Sequence, residues 1–123
     1  MQMAKILVLD DVLDAVNLTR RILEQTGHTV YTFTEEDKAL SFAAENPVDL
    51  AILDINLKQM SGIEVLSELK RITPSTLAIM LTGYPTVETA RASFKLGAAE
   101  YCVKPIDNAE LERKVNRVLS SKL

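Results

Sequence analysis

Short apolar runs alternate with longer amphipathic stretches along the chain. The runs are KILVL (Lys5 to Leu9), TVYTF (Thr29 to Phe33), LAIL (Leu50 to Leu53), LAIML (Leu77 to Leu81) and EYCV (Glu100 to Val103). The first, third and fourth are nearly continuous in hydrophobicity. Strands covered by helices on both faces of a parallel sheet have that composition. TVYTF is less apolar and suits an edge position.

The stretches between the runs carry helical spacing. Asp11 to Thr26 sets Ala15, Leu18, Ile22 and Leu23 on one face, and Gly27 follows as a stop. Glu35 to Glu45 carries Ala39, Phe42 and Ala43 and ends before Pro47. Ser61 to Ile72 carries Ile63, Leu66 and Leu69, with Pro74 beyond. Pro85 to Leu96 opens on a proline and ends at Gly97. Asp107 to Leu119 carries Leu111, Val115, Val118 and Leu119, with Asp107 or Asn108 as N-cap. The order is strand then helix, five times. Repeated units of this kind wind right-handed crossovers into an α/β doubly wound sheet. A closed eight-stranded barrel needs about twice this length.

Composition narrows the class. The chain has 123 residues, 47% hydrophobic and 25% charged, which suits one globular domain over 1–123. Its net charge is −3 and the basic residues are scattered, which argues against direct nucleic-acid binding. No segment approaches the roughly 20 apolar residues that span a bilayer. Met1 to Lys5 carries no secretory pattern, and a cytoplasmic location is expected. A single cysteine, Cys102, excludes an internal disulfide and reads as a small core residue. The last residues, Ser120 to Leu123, read as a tail or the stub of a linker. His28, in the turn before the second strand, reads as a surface residue.

The polar residues after each strand carry the chemistry. The first strand ends in Asp10-Asp11, the third in Asp54, the fourth in Thr82-Gly83 and the fifth in Lys104-Pro105. Ligands of open α/β sheets bind at the carboxyl ends of the strands, so these residues converge on one rim. Taken singly, each has a plainer role: Asp11 or Thr82 as a helix cap, Asp54 as a turn former, Lys104 as a surface lysine. Together, three carboxylates repel one another. Lys104 offsets one, and a hard divalent cation suits the rest. A carboxylate nucleophile, a metal, a lysine and a hydroxyl are the parts for moving a phosphoryl group onto an aspartate.

The ordered set ILVLDD, AILDINLKQMSGIEVL, IMLTGY and GAAEYCVKPI resembles the receiver domains of response regulators in two-component signalling, over the whole chain. Gly62, eight residues after Asp54, fits the same pattern. The resemblance implies a flavodoxin-like sheet in strand order 2-1-3-4-5. It implies that Asp54 is the phosphoacceptor and that Mg²⁺ binds Asp10, Asp11, Asp54 and the backbone carbonyl of Asn56. Lys104 would pair with the phosphoryl oxygens, its bond to Pro105 being cis. Thr82 would shift toward the phosphoryl group and Tyr101 would follow it inward, reshaping the face of the fourth helix, fifth strand and fifth helix. Asn56 and Tyr84 stand where phosphoryl lifetime is tuned, and a bulky Tyr84 is expected to slow autodephosphorylation. The implied partner is a histidine kinase or histidine phosphotransfer protein, docking near Leu13, Val16 and Asn17. The reshaped face would serve an output domain, a partner or a second copy. Where the family commonly has proline, four residues after the phosphoacceptor, this chain has Lys58. Lys58 is expected to be solvated.

Three other readings compete. A haloacid-dehalogenase-type phosphatase needs a second Asp two residues after its nucleophile, where this chain has Asn56, an amide that cannot act as general acid. A flavin binder needs a phosphate cradle in the first loop, where two aspartates stand instead. A receiver that has lost phosphorylation and serves only as an interaction module is opposed by the complete acidic set.

Overall fold

A computed structural model describes residues 3–121. Five strands alternate with five helices: β1 (Lys5–Leu9), α1 (Leu13–Glu24), β2 (Thr29–Phe33), α2 (Glu36–Glu45), β3 (Leu50–Asp54), α3 (Gly62–Ile72), β4 (Leu77–Thr82), α4 (Val87–Lys95), β5 (Glu100–Val103) and α5 (Asn108–Ser120). All strand pairs are parallel, in the order β2-β1-β3-β4-β5, as expected, with TVYTF at one edge.

Side-chain alternation along the strands divides the core. Ile6, Val8, Leu50, Ile52, Ile79 and Leu81 face one way and pack on Val16 and Leu23 of α1 and on Leu111, Val115 and Val118 of α5. Leu7, Leu9, Ala51, Leu53, Ala78 and Met80 face the other way, onto Ala39 and Ala43 of α2 and Val65, Leu66 and Leu69 of α3. Both faces of β1, β3 and β4 are thereby covered, which accounts for their unbroken hydrophobicity. Ser61, Thr86 and Asp107 cap α3, α4 and α5, each side chain accepting from the backbone three residues on. The turns after α1 and α4 pass through Gly27 and Gly97 at φ of 95° and 96°, a region that disfavours side chains.

Several expectations are corrected. The first helix starts at Leu13 rather than Asp11, and the fourth at Val87 rather than Pro85. Leu18, assigned to the apolar face of α1, is 52% exposed, whereas Val16, assigned to a docking surface, is buried in the core. Apolar positions spread around much of this helix, and the position of the sheet buries Val16, Ile22 and Leu23 while leaving Leu18 in solvent. His28 is not a surface residue. It is buried, and its Nδ1 accepts the Ala4 amide at 3.1 Å. Burial lowers its pKa. Cys102 is buried as expected, and burial pushes its thiol pKa up. Ser120 closes α5 and Ser121 is its C-cap rather than part of a tail, and the expectation for Lys122 and Leu123 lies outside the described residues. No helix among those residues is long and apolar enough to cross a membrane.

Candidate functional site

The register of the sheet assembles the rim. Leu9 lies beside Leu53, Asp54 beside Leu81 and Thr82 beside Val103. Asp10, Asp54, Thr82 and Lys104 therefore end their strands at nearly one level. The Lys104 amide, donating to the Thr82 carbonyl at 2.8 Å, extends the ladder by one residue.

Carboxylate oxygens of Asp10, Asp11 and Asp54 lie within 4.8 Å of one another. Asp10 and Asp54 are buried, and Asp11 is half-buried. The two buried carboxylates are held alike. Asp10 Oδ1 accepts the Val12 amide at 3.0 Å, and its Oδ2 accepts Lys104 Nζ at 2.7 Å. Asp54 Oδ1 accepts the Asn56 amide at 3.1 Å, and its Oδ2 stands 3.3 Å from Lys104 Nζ. One lysine thus offsets one of three negative charges.

Burial, together with the charge of Asp10, raises the Asp54 pKa against the opposing pull of the Asn56 amide and Lys104. For Lys104 burial works the other way, but the hydrogen bond and charge of Asp10, and then those of Asp54, outweigh it and raise its pKa. Buried carboxylates in such excess call for a cation, and an all-oxygen donor set suits a hard one such as Mg²⁺. The residues present therefore fit the metal that the resemblance implies.

The remaining expected site residues form a second layer. Thr82 is fully buried, and its hydroxyl donates to Asn56 Oδ1 at 2.9 Å rather than to a carboxylate. The same Thr82 oxygen accepts the Tyr84 amide at 3.0 Å, while the Tyr84 side chain is 75% exposed. Tyr101 is half-buried; its hydroxyl pairs with Thr89 Oγ1 at 2.6 Å and accepts the Thr86 amide at 3.3 Å. Gly62 packs against the backbone of Asp54 and Ile55, closely enough that any Cβ there would collide with it. The Lys104–Pro105 peptide is cis, as expected. Lys58 is exposed.

Sequence reasoning missed three participants. Thr86 and Thr89 tie the Tyr101 hydroxyl to the first turn of α4, and the T-x-x-T spacing of a helix N-terminus was the available signal. Glu36 is buried and accepts two amides of the loop between β3 and α3. In the sequence it is one of three consecutive acidic residues, and nothing distinguishes it from its neighbours. Beside the site lies a cleft of about 450 Å³, lined by Leu18, Ile22, Leu81, Ile106 and Leu111, with Asp10 and Lys104 among its residues.

Comparison with known proteins identifies the family. Residues 6–116 match the family described as response regulator receiver domain. The transcriptional regulatory protein ZraR of Escherichia coli K12 is 31% identical over 115 residues, covering 94% of this chain and 26% of that protein. The nitrogen assimilation regulatory protein NtrX of Azorhizobium caulinodans is 34% identical over 118 residues, again 94% of this chain and 26% of that protein. The chain therefore spans about a quarter of the length of these relatives. Among solved structures, a CheY-like receiver domain protein from Methanospirillum hungatei superposes with a TM-score of 0.95 at 30% identity, covering 98% of this chain and 97% of that one. A receiver domain from Clostridium thermocellum does so at 0.91 and 34%, over 98% and 97% of the two chains. With the strand order and 111 matched residues in agreement, the chain belongs to the response regulator receiver domain family, the phosphorylation-dependent switches of two-component signalling.

Proposed function

We propose that Asp54 is the phosphoacceptor of this switch, and that Lys104, Thr82 and bound Mg²⁺ assist the transfer. The observation that carries the reading is the Asp54 carboxylate, buried at a strand end, 3.3 Å from Lys104 and within reach of two further carboxylates. An Asp54 carboxylate oxygen attacks the phosphorus of a phosphohistidine, the O–P bond forms as the N–P bond breaks, and the histidine leaves as imidazole. Asp10, Asp11, Asp54 and the Asn56 carbonyl would hold Mg²⁺, which would supply charge neutralisation to the phosphoryl oxygens. Lys104 is already charged and paired at the site, so it needs only a small movement to reach a new oxygen.

Phosphorylation adds charge and acceptor oxygens beside Thr82. The Thr82 hydroxyl then exchanges Asn56 for the phosphoryl group. Tyr101 leaves Thr89 and moves toward the space behind Thr82. The output surface is the face of α4, β5 and α5, where Val87, Phe94 and Val103 are exposed. A second copy, an output domain or a separate partner reads that face. Asn56 and Tyr84 set the lifetime of the acyl phosphate, which the domain hydrolyses without a partner.

The phosphoryl donor is a cytoplasmic histidine kinase or histidine phosphotransfer protein. Exposed Leu13, Leu18 and Asn17 on α1, beside the apolar cleft, support docking there. Val16 has no part in that contact.

Intact-mass spectrometry after incubation with acetyl phosphate tests the reading. A gain of one phosphoryl group is expected with Mg²⁺, and none without the metal or in Asp54→Asn. A gain retained in Asp54→Asn would refute the assignment. If neither a phosphoryl group nor beryllofluoride binds the wild type in Mg²⁺, the domain is an interaction module instead.

A further inference from the structure

The loop between β3 and α3 carries the Asn56 carbonyl and the Asn56 side chain that holds Thr82. It has no proline at the position where family members commonly carry one. Its exposed Lys58 makes no backbone hydrogen bond among the described residues. The two ends of the loop are fixed, since the Leu57 and Gly62 amides both donate to the Ile55 carbonyl, at 3.2 and 2.8 Å. The crown is held from outside. Glu36, in the first turn of α2, accepts the Gln59 and Met60 amides on one oxygen, each at 2.8 Å.

Glu36 is 4% exposed. A buried carboxylate is costly unless its hydrogen bonds are made, and charge-assisted bonds to backbone amides are among the stronger ones. The base from which it reaches is firm, because Ala39 and Ala43 of α2 share a core with Val65 and Leu66 of α3. Both partners are backbone amides, so their positions set the path of the chain through residues 57–61.

We infer that Glu36 is a positioning residue for metal binding: from a neighbouring helix it presets the loop that offers the Asn56 carbonyl, a task a proline performs within the loop in many receivers. The inference rests on the proposed Mg²⁺ site. A group that orients a ligand without touching the metal contributes through the order it imposes before the metal arrives.

The test measures Mg²⁺ dissociation constants by calorimetry for wild type, Glu36→Ala and Glu36→Ala/Lys58→Pro, together with amide exchange at Gln59 and Met60. In Glu36→Ala both amides are expected to lose protection, and the Mg²⁺ dissociation constant to rise roughly tenfold. Adding Lys58→Pro is expected to recover most of the affinity without restoring the two hydrogen bonds. A purely structural role would lower Tm and leave Mg²⁺ binding unchanged. That result, or a loss that proline does not relieve, would overturn the inference. Should Glu36→Ala fail to fold, Glu36→Gln weakens the two bonds by removing the charge, and wild-type affinity in that variant despite lost protection at Gln59 and Met60 would also overturn it. A wild type that binds no Mg²⁺ would sink the metal-site reading itself.

Discussion

All five residues of β3 are buried, and α3 adds Gly62, Val65, Leu66 and Leu69 to the core behind it. Of the nine residues of α4, by contrast, only Ser93 is buried, while Val87 is 69% and Phe94 52% exposed. The two regions meet at the same rim yet are held with different firmness. Asp54, the proposed acceptor, ends the strand that has no freedom to move. Tyr101 is tied to the helix that can shift with little loss of burial, and Thr82 ends the strand beside it. Local stability of this uneven kind lets a small change at a rigid site bias a loosely packed element between two arrangements. The hydrogen bond that the Thr86 amide donates to the Tyr101 hydroxyl, and the pairing of that hydroxyl with Thr89, are polar ties of that element to the sheet edge.

The sharpest way to break the comparison uses two glycines. A Cβ on Gly62 would stand 2.7 Å from the Ile55 Cα and collide with the Asp54 carbonyl, so strand and helix must part. Gly62→Ala is expected to cost about 3 kcal/mol in urea unfolding. Gly83, before α4, has nothing within 4 Å of such a Cβ, and Gly83→Ala is expected to stay within about 0.5 kcal/mol. Equal losses would dissolve the contrast.

A second pair compares the helices directly. Leu66 of α3 is fully buried, and Leu66→Ala is expected to cost about 3 kcal/mol. Phe94→Ala on α4 is expected to cost less than about 1 kcal/mol, because half of that ring already meets water. A larger loss at Phe94 would show α4 to be more tightly held than its burial indicates.

The acidic rim gives an effect of opposite sign. The pKa of Asp54 is raised, chiefly by burial, so its ionised form weakens the fold, and in metal-free buffer that penalty grows as pH rises above its ordinary value of 3.8. Asp54→Asn is expected to stabilise the metal-free protein at pH 7 by roughly 1 kcal/mol, the lost ion pair with Lys104 offsetting part of the gain. Thermal unfolding in EDTA measures it, and the gap between the proteins should close toward acid. A variant less stable than wild type at pH 7 would mean that Lys104 outweighs the repulsion.

The smallest effect lies far from the rim. His28 has a lowered pKa because it is buried, and its Nε2 has no hydrogen-bond partner among the described residues. The neutral form belongs to the fold. Its contribution is complete above the ordinary value of 6.5 and is lost as pH falls below it. The Tm of the wild type is expected to fall by a few degrees between pH 7 and about 5. His28→Asn should show a shallower slope, and an identical slope would assign the loss to other groups.

The strands, their order of appearance and the four rim residues were legible in the sequence for local reasons. Strand period, helix caps and stops act within a few residues, and parallel topology brings strand ends together without further information. The resemblance added the strand order, which the fold bears out, and the roles proposed for the individual residues. Where two local patterns overlapped, the sequence could not choose. Val16 and Leu18 both belong to apolar faces of α1, and only the packing of that helix on β1 and β2 buries the first and leaves the second beside the cleft.

The same limit applies to polar residues whose partners are distant in the chain. His28 is defined by the Ala4 amide, 24 residues away, and Glu36 by Gln59 and Met60, 23 and 24 residues away. A histidine in a turn or a glutamate in an acidic run has the same local signature whether it is solvated or buried. What the sequence determined by itself was the set of groups at the strand ends, because strand periodicity and parallel winding are written locally. What only the tertiary structure decided was which side chains those groups lean on, because hydrogen bonds across the fold depend on positions that no stretch of sequence contains.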